Sequence, residues 1–282
     1  MGKAKAKWTE ERITRLVKEG RGRGTGCNYQ PWLLVHEVSS LGRSRRIWSP
    51  KLGRTVHLLS DVEYNLFIAL EWQTDVTDIR EQFPLDRDIT QTIARELGIR
   101  HPCYVGTTVP TVMTTDFMVT FKRAATVSLA AFNAKRAEEA DDEVSLLKLE
   151  IQREYFARLG CPHHLVYHTQ IPAAKVANID WVRDALLKEG EVEPYPGYFD
   201  AMKDRMAADI TSQPSKSVLV DYCTDFDRRF GAERGTGLRV AKMLISSRAL
   251  QPDLGAQNLE RQTLLQLRVA PKPTQLRAVG GT

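Results

Sequence analysis

Three separated stretches of this chain carry side chains able to act together on one bond: Glu63, Asp116 and the run Asn133-Ala134-Lys135. Two carboxylates and a lysine are the groups that phosphodiester hydrolysis calls for. Carboxylate oxygens hold Mg²⁺, which neutralises charge on the scissile phosphate and acidifies bound water. A lysine orients or deprotonates that water, or balances charge in the transition state. Paired ions in such sites sit about 3.5–4 Å apart, so the carboxylates must arrive from neighbouring elements. Each residue also has a plainer reading. Glu63 could complete a helix cap, Asp116 could edge a strand, and Lys135 could end one in solvent. Glu81 and Glu150 fall on elements expected to border the same cleft, with ordinary salt bridges as their alternative.

The elements that must position these groups can be read from periodicity. Ser60-Asp61-Val62-Glu63 has the spacing of a capping box and opens a helix to about Trp72, with Leu59 and Tyr64 placed as a hydrophobic staple. A strand over residues 113–121 puts Phe117, Val119 and Phe121 on one face and Asp116, Met118 and Thr120 on the other. A strand over 127–134 leads into Lys135, and period two sends Asn133 and Lys135 to one side while Ala134 turns away. Around them the pattern predicts strands at 32–38, 46–49, 55–59, 76–83 and 165–169. Ile79, Glu81 and Phe83 should share a face. Helices are expected after the cap at Thr9 up to Gly20, over 87–97, and over 137–159, the last with the stripe Val144, Leu147, Ile151, Tyr155 and Leu159. An acid, a gap, then a polar residue two before a lysine is the PD-(D/E)xK arrangement.

The 282 residues are enough for two domains. With 42% apolar and 27% charged residues the composition is that of a soluble globular protein. No run of about 18 apolar residues exists to span a membrane. The first residues, MGKAKAKWTE, lack the apolar core of a secretory signal. A cytoplasmic protein without a membrane partner is the expectation. Cys27, Cys103, Cys161 and Cys223 form no CxxC and are expected as reduced thiols. Cys161, His163, His164 and His168 match no zinc-finger spacing.

The net charge is +5, but residues 1–54 hold 13 Lys/Arg and 4 Asp/Glu, which is 13 − 4 = +9 and leaves 5 − 9 = −4 for the rest. Such asymmetry points to a polyanion. The loop Arg21-Gly22-Arg23-Gly24-Thr25-Gly26 adds glycines whose backbone N–H groups could meet phosphate, although it is neither a Walker loop nor a dinucleotide fingerprint. Arg21, Arg23, Arg43, Arg45 and Arg46 are the expected DNA contacts.

After about residue 170 the chain changes character. Helices are expected over 176–187, 217–230 and 236–250, the last two split by Gly231-Ala232-Glu233-Arg234-Gly235, with a strand near 264–269. That order is compatible with a winged helix. The division is therefore 1–169 and 170–282. The arginines of the two-helix unit suit docking of a partner or of neighbouring DNA.

At these residues the sequence resembles the TnsA family of transposon endonuclease subunits. The matching blocks are Lys18-Glu19-Gly20-Arg21-Gly22-Arg23-Gly24, Gly42-Arg43-Ser44-x-Arg46-Ile47, His57-Leu58-Leu59-Ser60-Asp61-x-Glu63, Asp78-Ile79-Arg80-Glu81-Gln82-Phe83-Pro84-Leu85 and Thr115-Asp116-Phe117. The resemblance implies an α/β, restriction-endonuclease-like PD-(D/E)xK N-terminal domain and a mostly helical, winged-helix-like C-terminal domain. It implies a Mg²⁺-dependent nick (Mn²⁺ as a substitute) at the 5′ ends of a mobile element. A DDE transposase, TnsB, would cut and join the 3′ ends, and an AAA+ regulator, TnsC, would couple cutting to target choice. Glu63, Asp116 and Lys135 match the family's catalytic residues. Glu63, Asp116 and the main-chain carbonyl of Ala134 would hold metal. Asn133 stands where the family has Gln. The alternative is a catalytically idle DNA-binding adaptor between transposase and regulator.

Overall fold

The computed structural model describes residues 7–37, 43–139, 142–186, 191–212 and 215–270. The chain divides into two compact units, Met1–Ile171 and Pro172–Thr282.

The first unit opens with α1 (Glu10–Lys18), whose N-terminus is capped by Thr9 Oγ1 accepting from the Arg12 N–H. β1 (Arg45–Ser49) and β2 (Arg54–Leu58) form an antiparallel hairpin. α2 (Asp61–Glu71) follows, then β3 (Val76–Pro84) and α3 (Arg87–Glu96). β4 (Thr114–Arg123) and β5 (Thr126–Lys135) come next, then α4 (Glu143–Arg158) and β6 (His163–Tyr167). The main sheet has the order β3-β4-β5-β6, antiparallel except for the parallel β5–β6 pair, which α4 connects. A parallel pair needs such a crossover, whereas β4 and β5 need only a tight turn.

The two sheet faces carry different helices. Leu85, Ile93, Ala94, Met113, Met118 and Ala131 pack with Ile151, Tyr155 and Phe156, so α3 and α4 cover one face. On the other face, Phe67 of α2 meets Phe117 of β4 at a ring-centroid distance of 6.2 Å. α2 thus stands across β4 with its N-terminus near the ends of β4 and β5.

Several expectations change here. Residues 32–37 form bends and a short 3₁₀ turn rather than a strand, because Trp32 is drawn into the core beside α1; residue 38 lies outside the described residues. The long helix begins only at Glu143, capped by Asp142 Oδ2 accepting from the Ser145 N–H. Its buried residues are Ile151, Gln152, Tyr155 and Phe156, while Val144, Leu147 and Leu159 stay exposed. Phe83 leaves the face of Ile79 and Glu81 and packs, partly buried, against the core cluster beneath α3 and α4.

The second unit contains α5 (Ala173–Arg183), α6 (Tyr198–Ser212), α7 (Leu219–Phe230) and α8 (Thr236–Ser246). A two-stranded antiparallel ribbon pairs β7 (Leu250–Gln251) with β8 (Arg268–Val269). The strand expected near 264–269 is a 3₁₀ turn over Leu264–Gln266 followed by β8, and α6 had not been anticipated. α8 is the central helix, with Val240 and Ala241 fully buried. The α7–α8 turn is fixed by the Asp227 carboxylate, which accepts from the N–H groups of Gly235 at 2.7 Å and Gly237 at 2.6 Å. A Cβ at Gly237 would lie 2.5 Å from the Cys223 carbonyl, so only glycine permits this helix approach. Among the described residues, no helix is long and apolar enough to cross a membrane.

Candidate active site

Glu63 sits in the first turn of α2. Ser60 Oγ accepts from the Glu63 N–H at 3.1 Å, and the Glu63 carboxylate turns back to accept from the Leu59 N–H at 2.9 Å and the Ser60 hydroxyl at 3.2 Å. The capping role is therefore real, and it aims the carboxylate rather than competing with chemistry. The side chain is buried, at 6% exposure, with the helix N-terminus behind it.

Asp116 lies near the start of β4, half-buried. Its Oδ2 accepts the Ala134 N–H at 2.7 Å, which joins the ends of β4 and β5. Burial raises the Asp116 carboxyl above the usual carboxylate range, against the opposing effects of the Ala134 hydrogen bond and the Lys135 charge. Burial likewise raises that of Glu63, and the neighbouring Asp116 charge raises it further. α2 and β4 thus bring two like-charged groups close enough to repel.

Lys135 ends β5 with its side chain 29% exposed and Nζ 3.9 Å from Glu139 Oε2. The Asn133 carboxamide oxygen instead accepts from the Thr115 hydroxyl at 2.9 Å and bonds His163 Nε2 at 2.8 Å. His163 itself lies against Phe156 of α4, so Asn133 is turned into the packed layer and does not share partners with Lys135.

The side chains that converge here, Glu63 and Asp116, offer oxygen, and the main chain at Ala134 meets Asp116 through its N–H. Among the described residues, no group of three or more His, Cys, Asp or Glu side chains is placed to hold a metal. Mg²⁺ does not require one, since it keeps several waters and takes one or two carboxylates. Two repelling carboxylates in a buried setting fit a hard divalent cation. The cysteine and histidines of the 161–168 stretch are dispersed: His163 bonds Asn133, His164 stacks on Phe132, and His168 Nδ1 accepts from the Ala137 N–H.

The other carboxylates take their plainer roles. Glu81 is fully buried and grips Arg54 through two bonds of 2.8 and 2.7 Å, while also accepting from the His57 N–H. Arg54 continues to the Ile79 and Gly26 carbonyls, tying β2, β3 and the glycine loop together. Glu150 pairs with Arg153 at the surface.

The basic segment divides. Arg21 is committed to the fold, since its guanidinium is bound bidentately by Glu37 and reaches the Pro31 and Trp32 carbonyls at 11% exposure. This corrects its assignment as a phosphate contact. The loop N–H groups are also largely used internally: Gly22 donates to Gln30 O, Arg23 to Gly20 O, and Gly26 to Asp78 Oδ1. Gly24, at φ +90°, is required by the 2.3 Å that a Cβ would leave to the Asn28 carbonyl. Arg45 pairs with Asp61 at 2.8 Å and lies over the Tyr64 ring. Arg23, Arg43 and Arg46 are exposed.

One site neighbour escaped the sequence reading. Gln82 is buried beside the acids, its Nε2 donating to Glu63 Oε2 at 3.3 Å. No spacing rule marks it, because its place depends on a left-handed backbone conformation within β3.

Comparison with known proteins agrees with this architecture. A family model described as TnsA-like endonuclease N terminal matches residues 73–168, and one described as TnsA endonuclease C terminal matches residues 170–254. The transposon Tn7 transposition protein TnsA of Escherichia coli is 37% identical over 247 residues, which cover 88% of this chain and 87% of that protein. With both family models falling in sequence on its two units, and identity sustained along most of its length, this chain belongs to the TnsA family of transposition endonucleases.

Proposed function

We propose that this protein nicks DNA at the 5′ ends of a mobile element in a Mg²⁺-dependent reaction, with Mn²⁺ as a substitute, while a DDE transposase (TnsB) cuts and joins the 3′ ends. The observation that carries the reading is the convergence of Glu63 and Asp116 from α2 and β4, with Lys135 acting on the Asp116 carboxyl from the end of β5. Glu63, Asp116 and the Ala134 carbonyl would hold the cation, which when bound polarises the phosphate and acidifies water. Lys135 orients the attacking water or balances charge as the phosphorane forms. The Ala134 N–H keeps Asp116 aimed while this happens. The first unit acts as a restriction-endonuclease-like domain. The second, winged-helix-like, docks the AAA+ regulator (TnsC) and neighbouring DNA, and the protein works in the bacterial cytoplasm.

An idle adaptor would have no reason to keep two repelling carboxylates buried together, since either could be neutralised to the benefit of stability. The test is strand-specific. Purified protein with its partner transposase should nick the 5′ strand of end-containing DNA in Mg²⁺ and stop on chelation. Transposase-dependent 3′ cutting alone, with no 5′ nick, would overturn the nuclease reading. For the second unit, a fragment from Pro172 onward should capture the regulator; capture by residues 1–171 alone would move the docking surface to the nuclease unit.

A further inference from the structure

We infer that Gln82 is a positioning residue of the nuclease centre, its carboxamide held by a left-handed backbone kink and by Thr114 so that Glu63 and Asp116 stay converged to receive a divalent cation. The inference rests on the metal-dependent reading above and goes beyond it by giving a role to a neutral residue outside the carboxylate–lysine set.

Gln82 has φ +47°, a conformation that residues with a Cβ rarely adopt. The other non-glycine residues with positive φ among those described, Ala124 and Arg248, lie outside the strands, whereas Gln82 lies within one. The register is kept on either side of it, although Gln82 and Asp116 themselves do not pair. Glu81 pairs with Phe117 and Phe83 with Thr115, so Gln82 stands level with Asp116. Its carbonyl accepts from the Trp32 N–H at 3.2 Å. Backbone geometry alone would favour glycine here. The presence of a long amide side chain in its place needs a side-chain reason, since such strain collects at functional sites.

The side-chain contacts supply that reason. Thr114 Oγ1 donates to Gln82 Oε1 at 3.2 Å, which fixes the amide's orientation and leaves the NH₂ facing the acids. That NH₂ donates to Glu63 Oε2 at 3.3 Å, from a strand position level with Asp116. A neutral donor on Glu63, beside Asp116, offsets part of the carboxylates' repulsion without a charge that would compete with the cation. A lysine in the same place would compete. Past the kink, the partly buried Phe83 packs against the core cluster under α3 and α4.

The experiment compares Gln82→Gly, Thr114→Val and Asp116→Ala in the full-length protein. Gln82→Gly removes the amide and relieves the backbone, so its melting temperature should match or exceed wild type. Titration calorimetry with Mg²⁺ alone should show binding weakened by about 10- to 100-fold, the usual loss when an outer-shell partner is removed. The Mg²⁺ concentration for half-maximal nicking should rise by the same factor, while affinity for end DNA in the absence of metal stays unchanged. Thr114→Val, which loosens the amide but leaves it present, should shift both Mg²⁺ readouts in the same direction by less. Wild-type Mg²⁺ affinity in Gln82→Gly overturns the inference; should that variant not fold, wild-type Mg²⁺ affinity in Thr114→Val overturns it. Asp116→Ala separates the two readings. If it still binds Mg²⁺ and nicks, the nuclease centre itself is misplaced. If it is inactive while Gln82→Gly is normal, only the role of Gln82 falls.

Discussion

The main-chain N–H of Ala134 donates to Oδ2 of Asp116 at 2.7 Å, so the strand that delivers the lysine also fixes the aspartate. The two substitutions Asp116→Asn and Asp116→Ala should therefore differ. Asn keeps an oxygen acceptor for the Ala134 N–H and loses only charge. Ala strands that donor, at about 1–3 kcal/mol. Both should lose 5′ nicking, and only Ala should show the lower denaturant midpoint. Nicking at the wild-type rate by either variant would remove Asp116 from the chemistry.

Glu63 and Asp116 both hold protons above the ordinary carboxylate range in the folded chain, chiefly because they are buried. In the unfolded chain they ionise within that range. The folded state thus binds more protons, so the stability these groups contribute is complete below that range and is lost as pH rises through their raised values. Unfolding free energy measured without divalent metal should fall from about pH 5 to about pH 8. Glu63→Gln should flatten the fall and abolish nicking, while its one amide oxygen can still accept from either the Leu59 N–H or the Ser60 hydroxyl, which Glu63 holds on separate oxygens. A pH profile parallel to wild type would show that Glu63 ionises normally.

The Arg54–Glu81 pair is buried at both ends, with side-chain exposures of 7% and 0%. Arg54→Met leaves an unpaired carboxylate inside the fold and should destabilise by about 3–5 kcal/mol, whereas Arg54→Met with Glu81→Met should recover most of that loss. Chemical denaturation of the two variants decides. Equal destabilisation would mean that the hydrogen bonds of Arg54 to the Ile79 and Gly26 carbonyls, rather than the ion pair, hold β2 to β3.

Neutralising the arginines should separate binding from folding. Arg23, Arg43 and Arg46 changed together to Gln should flatten the salt dependence of binding to duplex DNA, the log–log slope falling by about 0.9 for each phosphate that is no longer neutralised, with stability unchanged. Arg21→Gln should do the reverse, leaving the slope alone and lowering the melting temperature because the Glu37 pair is broken. An unchanged slope in the triple variant would turn that charge toward a protein partner.

Local pattern alone was enough for the helix at Ser60–Glu63, because a capping box is written within four residues and its hydrogen bonds form there. The alternation that set Asp116 opposite Phe117 is equally local, as is the strand leading into Lys135. The α4 boundary and the burial of its stripe were not local. Val144 and Leu147 have helical spacing, yet they stay exposed while Ile151, Tyr155 and Phe156 meet the sheet. The same holds for the charges. Arg21 and Arg23 look alike in sequence, but only Arg21 is taken up by Glu37, 16 residues away, just as Glu81 is taken up by Arg54, 27 residues away. Which charge is consumed by the fold and which faces solvent depends on these long-range pairings, which periodicity does not encode. Gln82 is the clearest case. Its residue type announces nothing, and only the left-handed backbone within β3, braced by Trp32 and Thr114, places its amide on Glu63.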